Sequence, residues 1–398
     1  GITLLGVRIA DPQLLEQFRL SIFDQYIQSI PVEHSNDIVL LNISESSLEA
    51  YGQYPWPRQN HAAVISDLRN ANAGMIGFTI MFPEADRFGG DEIFGSWING
   101  NGIILAQDAD ENGRSTKAPY VGYATFGYSG DILDLTYRYK GLVTNIEELE
   151  KHAWGVGLLN GAPEVDNQTR RIPLMSQVNG NVYPSFALET VRALQNKKSY
   201  TVKLNESGIE SIILRPFIIP TDERGSIWLK WNTHFGSYNY GEPLPDLEGK
   251  TVIIGVTAKG IAPQITTPAG LLYPHQLQAN ALQTIISDSP ISRPQWTEMA
   301  EIGLILIGSL LIVLSVYYLP ILIGLVSFVG SAAAVSYASY YAWYEFSILL
   351  DLSASLIIYI LLLTSASFNN FYKQFVLRQQ IKKQFGTYVS PDLVKQLQ

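Results

Sequence analysis

The stretch Ile302-Gly-Leu-Ile-Leu-Ile-Gly-Ser-Leu-Leu-Ile-Val-Leu-Ser-Val-Tyr-Tyr-Leu-Pro320 opens a run that meets no charged residue until Glu345. One crossing of about 30 Å of hydrocarbon takes roughly 20 apolar residues. The 43 residues from Ile302 to Tyr344 therefore hold two spans. Tyr317-Tyr-Leu-Pro320 is the turn between them, since proline lacks a donor and aromatic rings favour the membrane interface. A third apolar run, Leu352 to Tyr372, follows Glu345 and Asp351. The spans are placed at 296–318, 320–342 and 347–369. Tyr340, Tyr341, Trp343 and Tyr344 form an interfacial belt beside the acids, and Trp296 marks the other end of the first span. Helices of soluble proteins keep a polar stripe. These runs have none, so the lipid bilayer is the first partner. Asp351 is the one intramembrane acid candidate, either resting at the interface or acting in packing and signal transmission.

Charge orients the chain. The 398 residues carry a net −9, while Phe371 to Gln398 alone carries +4, leaving −13 for the rest. Lys373, Arg378, Lys382 and Lys383 belong in the cytoplasm by the positive-inside tendency, which puts the acidic body outside. The expected location is a bacterial cytoplasmic (inner) membrane, with the large domain periplasmic. An acidic body also argues against nucleic acid as a partner, because phosphate binding needs clustered cations. The absence of cysteine excludes disulfides, Cys-based zinc sites and thiol nucleophiles, and is compatible with a periplasm. Residues 1–30 read as a helix from Asp11 to about Gln28, with Pro12 in its first turn, expected to follow an upstream membrane anchor.

Residues 31–292 read as the soluble domain. Asp37-Ile-Val-Leu-Leu-Asn-Ile43 is an apolar strand, His61 to Asn72 a helix ended by Gly74, and Met75 to Phe82 a second strand. Strand, helix, strand at that spacing implies a right-handed parallel crossover buried on both faces. Gly102 to Ala106 and Lys250 to Gly255 add strands, and His275 to Ser287 a helix. From Trp154 to Trp231 short strands alternate with turns such as Asp166-Asn-Gln168, Asn179-Gly-Asn181 and Asp222-Glu-Arg-Gly225, interrupted by a helix near Ser185 to Leu194. Trp228 and Trp231 are both expected to be partly buried. The fold class is thus an α/β extracytoplasmic domain, a parallel-sheet core with a β-rich extension, plus three transmembrane helices.

Several of these segments recur together in a known family. Asp37 to Ile43, Tyr54-Pro-Trp-Pro-Arg58, Gly77-Phe-Thr-Ile-Met-Phe82 and Asp86-Arg-Phe-Gly-Gly-Asp91 occur in order. Tyr183-Pro-Ser-Phe-Ala-Leu-Glu189, Leu247 to Gly255 and Gln278-Ala-Asn-Ala281 follow. As a set, over roughly residues 10 to 290, they resemble the second class of CHASE domain, an extracellular sensor associated with cyclases and histidine kinases. The three following spans fit that family's layout. One departure is Thr79, where the pattern usually has Asp; a ligand site using that acid in relatives is altered here.

The tail, 370–398, carries a second resemblance. Phe385-Gly-Thr-Tyr-Val-Ser-Pro-Asp-Leu-Val-Lys-Gln-Leu397 looks like the segment leading into class III nucleotide cyclase domains. Leu377, Ile381 and Phe385 form an i, i+4, i+8 stripe able to pair with a second copy, and a homodimer is implied. Gly386 is expected to stop that helix, with Ser390 and Pro391 starting the next. The resemblance implies a receptor-type adenylate (or guanylate) cyclase making cyclic nucleotide from ATP or GTP. Two Mg or Mn ions are expected in its catalytic domain, which lies outside these residues. No catalytic site and no cofactor is expected in this chain itself. The alternatives are the same sensor coupled to a histidine kinase, diguanylate cyclase or Ser/Thr kinase, or a non-enzymatic envelope protein-binding module.

An extracytoplasmic ligand or protein partner is expected without being identified. The ligand-sensing candidates are Trp56, Arg58, Glu84, Asp86, Arg87 and Asp91, just past the carboxyl end of a parallel strand, where open α/β sheets tend to bind ligands. The competing reading gives Trp56 to packing, Asp91 to helix capping and Arg87 to a local pair. Arg170 and Arg171 read as framing a hairpin turn. Gly249-Lys-Thr251 only mimics a phosphate loop, since it enters a strand rather than leaving one. The five histidines lack metal-ligand spacing.

Overall fold

A computed structural model describes residues 12–113, 117–119, 121–287 and 290–388. It divides into two compact units, one of residues 24–293 and one of residues 1–23 with 294–398.

The first unit is built on a seven-stranded sheet. Its strands are β1 (Glu33–Ile43), β2 (Met75–Phe78), β3 (Ile103–Asp110), β4 (Gly141–Val143), β5 (Gly155–Leu158), β6 (Thr233–Asn239) and β7 (Thr251–Val256). They lie in the order β6-β1-β7-β2-β3, with β3 pairing both β4 and β5. Only β4 runs antiparallel to its neighbour. Alternate residues of β1 enter different cores, as a two-faced sheet requires. Val39, Leu41 and Ile43 pack with Val64, Ile65 and Leu68 of α3 (Arg58–Asn70) and Phe94 and Ile98 of α4 (Asp91–Ile98). Ile38 and Leu40 pack in the other core with Phe186 and Val191 of α5 (Phe186–Leu194) and Leu277 and Leu282 of α6 (Pro274–Ile286). Helix α2 (Glu45–Tyr51) precedes α3, and before it α1 (Gln13–Gln28) belongs to the second unit up to Phe23 and to the first from Asp24.

Local chemistry fixes these ends. Pro57 caps α3 after the Tyr54–Pro55 turn, and Asn72 takes the left-handed φ of 62° that lets the chain reverse into β2. Ser185 accepts from the Leu188 amide at 3.2 Å to start α5. Gly157 of β5 lies under that start, where a Cβ would overlap the Phe186 backbone. The second expected strand is shorter than its apolar run. β2 ends at Phe78, and Ile80 and Phe82 are buried in an aromatic cluster of the following loop instead. The β-rich extension includes a four-stranded sheet of Tyr123–Gly127, Tyr200–Asn205, Gly208–Leu214 and Phe217–Pro220. Trp228 is nearly fully buried, at 5% exposure, whereas Trp231 is half-buried.

The second unit contains three helices long and apolar enough to cross a membrane: α7 (Trp296–Tyr318), α8 (Ile321–Phe346) and α9 (Ser353–Tyr388). Pro320 caps α8, so the turn falls at the Tyr-Tyr-Leu-Pro signal. Ser347 takes a left-handed φ of 53° to end α8, and residues 347–352 form a connection rather than the start of the third helix. α9 then continues through the third apolar run into the basic tail without a break. Gly386 lies inside α9 and does not terminate it, because a helical glycine costs only about 1 kcal/mol relative to alanine. Pro391 lies outside the described residues.

Candidate sensor site

The loop after β2 is drawn together by Arg58, the first residue of α3. Its Nε donates to Asp91 Oδ1 at 3.2 Å and its Nη2 to the Glu84 carbonyl at 2.8 Å, while the guanidinium lies 4.6 Å over the Phe82 ring. Asp86 accepts from the backbone amides of Arg58 (3.1 Å) and Gly90 (3.0 Å), and its own amide donates to Asp91 Oδ2 at 2.7 Å. Partial burial would raise the Asp86 pKa, but the amides of Arg58, Gly90 and Phe88, with the Arg58 charge, hold it below the ordinary carboxylate value. The expected candidates thus divide. Arg58, Asp86 and Asp91 form one knot whose donors and acceptors are largely spent on one another, Glu84 joins only through its backbone carbonyl, and the Arg87 side chain is exposed. Asp91 is the first residue of α4 and makes no side-chain cap; it serves the loop amide instead.

Trp56 is buried, its Nε1 donating to the Gly52 carbonyl at 2.7 Å. It stands beside Tyr51, Tyr54, Tyr240 and His61, its ring centroid 5.8–6.3 Å from theirs. His61 is fully buried, and burial, aided by Arg58, lowers its pKa to about 3. Thr79, at the position where the family pattern has Asp, bonds the Ile254 carbonyl through both its amide (3.0 Å) and its hydroxyl (2.9 Å). Here the residue closes the end of the sheet.

The structure adds two polar centres that were not among the expected sites. Arg170 does not frame a hairpin. It is buried and meets three carboxylates: Asp24 of α1 (2.7 and 2.8 Å), Asp166 (2.7 and 2.8 Å) and Glu164 (3.3 Å). Arg171 bonds Glu164 at 2.8 Å and Asp222 at 2.9 Å and covers the Trp228 ring. Glu189, wholly buried on α5, receives both a two-pronged bond from Arg192 (2.9 and 2.8 Å) and the Tyr200 hydroxyl. Burial raises the Glu189 pKa, against the pull of Arg192. Acids Glu164 and Asp166 just ahead of Arg170-Arg171 were a visible signal for the first centre; for the second it was the i, i+3 spacing of Glu189 and Arg192 on one helix, while Tyr200 comes from outside that helix.

In the membrane unit, Asp351 sits in the 347–352 connection and is buried. Its amide donates to Glu301 Oε1 at 2.8 Å, its Oδ1 accepts from the Ser353 amide (2.8 Å) and hydroxyl (2.5 Å), and Arg19 of α1 lies 4.0 Å from its Oδ2. Leu377 and Ile381, the described members of the tail stripe, are 56% and 45% exposed on α9. Phe385 also lies on α9.

The family model for the CHASE2 domain matches residues 1–314. The chain belongs to the CHASE2 family. CHASE2 is an extracellular sensor domain, and the sheet, its aromatic cluster and the loop clamped by Arg58 are its framework here. No curated protein and no solved structure matches this CHASE2 chain. With three helices in the same chain long and apolar enough to span a bilayer, it is a membrane protein.

Proposed function

We propose that this chain is the sensing and transmembrane signalling part of a receptor-type adenylate or guanylate cyclase, working as a homodimer in a bacterial inner membrane with the CHASE2 domain in the periplasm. The observation that carries the proposal is α9. One unbroken helix joins the third apolar run to the segment that resembles the entry to class III cyclases, and it leaves Leu377 and Ile381 uncovered at i, i+4 spacing. Such a helix transmits a rotation or shift without loss at a loop, and its apolar stripe suits a second copy. Class III cyclases complete their site between two subunits, so a change in helix pairing is a direct route to the output. The two divalent ions belong to the catalytic domain. Among the described residues no group of three His, Cys, Asp or Glu could hold one, and none is assigned here.

The test is expression of the full-length gene in cells that make no cyclic nucleotide. Accumulation of cyclic AMP or cyclic GMP, reduced by Leu377→Asp and Ile381→Asp, is the expected result. Formation of a phosphohistidine or of cyclic di-GMP instead would transfer the same sensor to a kinase or diguanylate cyclase output, and no product at all would favour a non-enzymatic binding module.

A further inference from the structure

A cavity of about 340 Å³ opens between the end of α2, the last turn of α3 and the segment after β6. Tyr51, Asp67, Asn70, Tyr240, Glu242 and Leu244 line it. We propose that this groove binds a small organic cation, an ammonium carried on an apolar stem. Electrostatics select the sign. Asp67 and Glu242 bring two exposed carboxylates, and no lining residue is cationic. Asn70 closes a 13-residue helix whose carbonyl end favours positive charge. Arg69, the cation of that turn, is turned away to the carbonyls of Ala73, Gly74 and Asn101.

The walls select the body. Tyr51 is 43% exposed and lies 4.7 Å from the Tyr240 ring at a 30° tilt, with Trp56 behind both. A cation over such a ring gains from its quadrupole, and the adjoining Leu244 accepts an alkyl or aryl stem. The Tyr240 hydroxyl donates to Asp67 Oδ2 at 2.9 Å, and burial with Asp67 alongside keeps it protonated, so it fixes that carboxylate without adding charge. Asn239 Nδ2 holds Glu242 Oε1 at 2.9 Å in the same way. Acids on an open face would only be solvated. Here they are oriented at the rim of a concavity with an exposed ring in its wall, which a hydrated metal ion would not use.

The site stands on this geometry alone; that its occupant is the signal rests on the sensor reading, so binding and output are measured separately. Isothermal titration of the full chain in nanodiscs would use phenethylamine, with 2-phenylethanol and 3-phenylpropionate as neutral and anionic counterparts. Phenethylamine is expected to bind at least about 10-fold more tightly than the alcohol, with no binding of the acid, and to weaken with salt. Asp67→Asn, which preserves an acceptor for Tyr240, Glu242→Gln and Tyr51→Ala should each weaken the amine several-fold. Equal binding of amine and alcohol, indifference to all three substitutions, or no saturable amine binding overturns the proposal. Amine binding that leaves cyclic-nucleotide output unchanged in the full-length protein would retain the site and reject it as the signal input.

Discussion

Asp24 and Arg170 meet across 146 residues of sequence through two parallel hydrogen bonds of 2.7 and 2.8 Å. The pairing fixes the last turn of α1, which begins the first unit at Asp24, to the loop that carries Glu164 and Asp166. Removing the guanidinium would leave the carboxylates of Asp24 and Asp166 beside Glu164, only 3% exposed, with Arg171 on Glu164 as the remaining counter-charge of the cluster. Arg170→Ala should therefore cost about 3–5 kcal/mol in chemical denaturation. Arg170→Lys should recover little of it, since one ammonium cannot supply two planar forks. Asp24→Asn, which keeps an acceptor, should cost about 1–2 kcal/mol. Equal stabilities for wild type and Arg170→Ala would show that the hub contributes nothing.

Two buried histidines make the fold acid-sensitive. Burial brings His61 and His275 each to about 3, Arg58 adding to the effect at His61 while Asp86 opposes it. Unfolded histidine protonates near 6.5, so between pH 6.5 and 3 the unfolded chain binds more protons than the folded one. Stability is full above that window and falls as pH drops through it, by about 1.4 kcal/mol per unit for each histidine. Among the described residues His61 Nδ1 has no hydrogen-bond partner, and Phe78, Phe82 and Phe94 surround the ring at 5.2–6.1 Å. His61→Phe should thus be at least as stable at pH 7.5 and lose stability less steeply below pH 6. Parallel curves for the two proteins would refute this.

The contrast between legible and hidden features follows from range. The inner half of β1, from Ile38, and β7 were plain because a stretch covered on both faces is almost wholly apolar, and α5 because Ser185 announces its start, whereas the polar, exposed first half of β1, Glu33 to Asp37, gave no such signal. The three apolar helices needed only length and the absence of charge. The end of β2 was not legible: Ile80 and Phe82 are as apolar as strand residues, and only the tertiary position of His61 and Phe94 draws them into a loop core. In the candidate loop the expected residues Arg58, Asp86 and Asp91 lie together, but their mutual satisfaction, which no local pattern shows, depends on Arg58 reaching back from another helix. Arg170 was misread for the same reason, since its partner Asp24 is remote. Gly386 misled because a weak local preference was set against a long helix.

Within the membrane unit, Gly308 of α7 faces Tyr359 of α9, whose hydroxyl donates to the Leu304 carbonyl. A Cβ at Gly308 would overlap that hydroxyl. Gly308→Ala should cost about 1–3 kcal/mol by overpacking, and Tyr359→Phe alone about 1 kcal/mol through the lost hydrogen bond. In the Gly308→Ala background, Tyr359→Phe should be neutral or stabilising, because it removes the obstructing atom. Additive losses in detergent melting would contradict the close approach.

Topology can be tested cleanly because the chain contains no cysteine. Ser129 in the CHASE2 domain and Gln379 on α9 are both exposed, so single Ser129→Cys and Gln379→Cys substitutions give one addressable thiol each. If the three apolar helices all cross the bilayer, an odd number of crossings separates these positions. With the basic end held inside, a membrane-impermeant maleimide should label Ser129→Cys when only the outer face is accessible and reach Gln379→Cys only after permeabilisation. Labelling of both from outside would mean that one apolar helix fails to cross, and the path from sensor to output argued for α9 would then have to be abandoned.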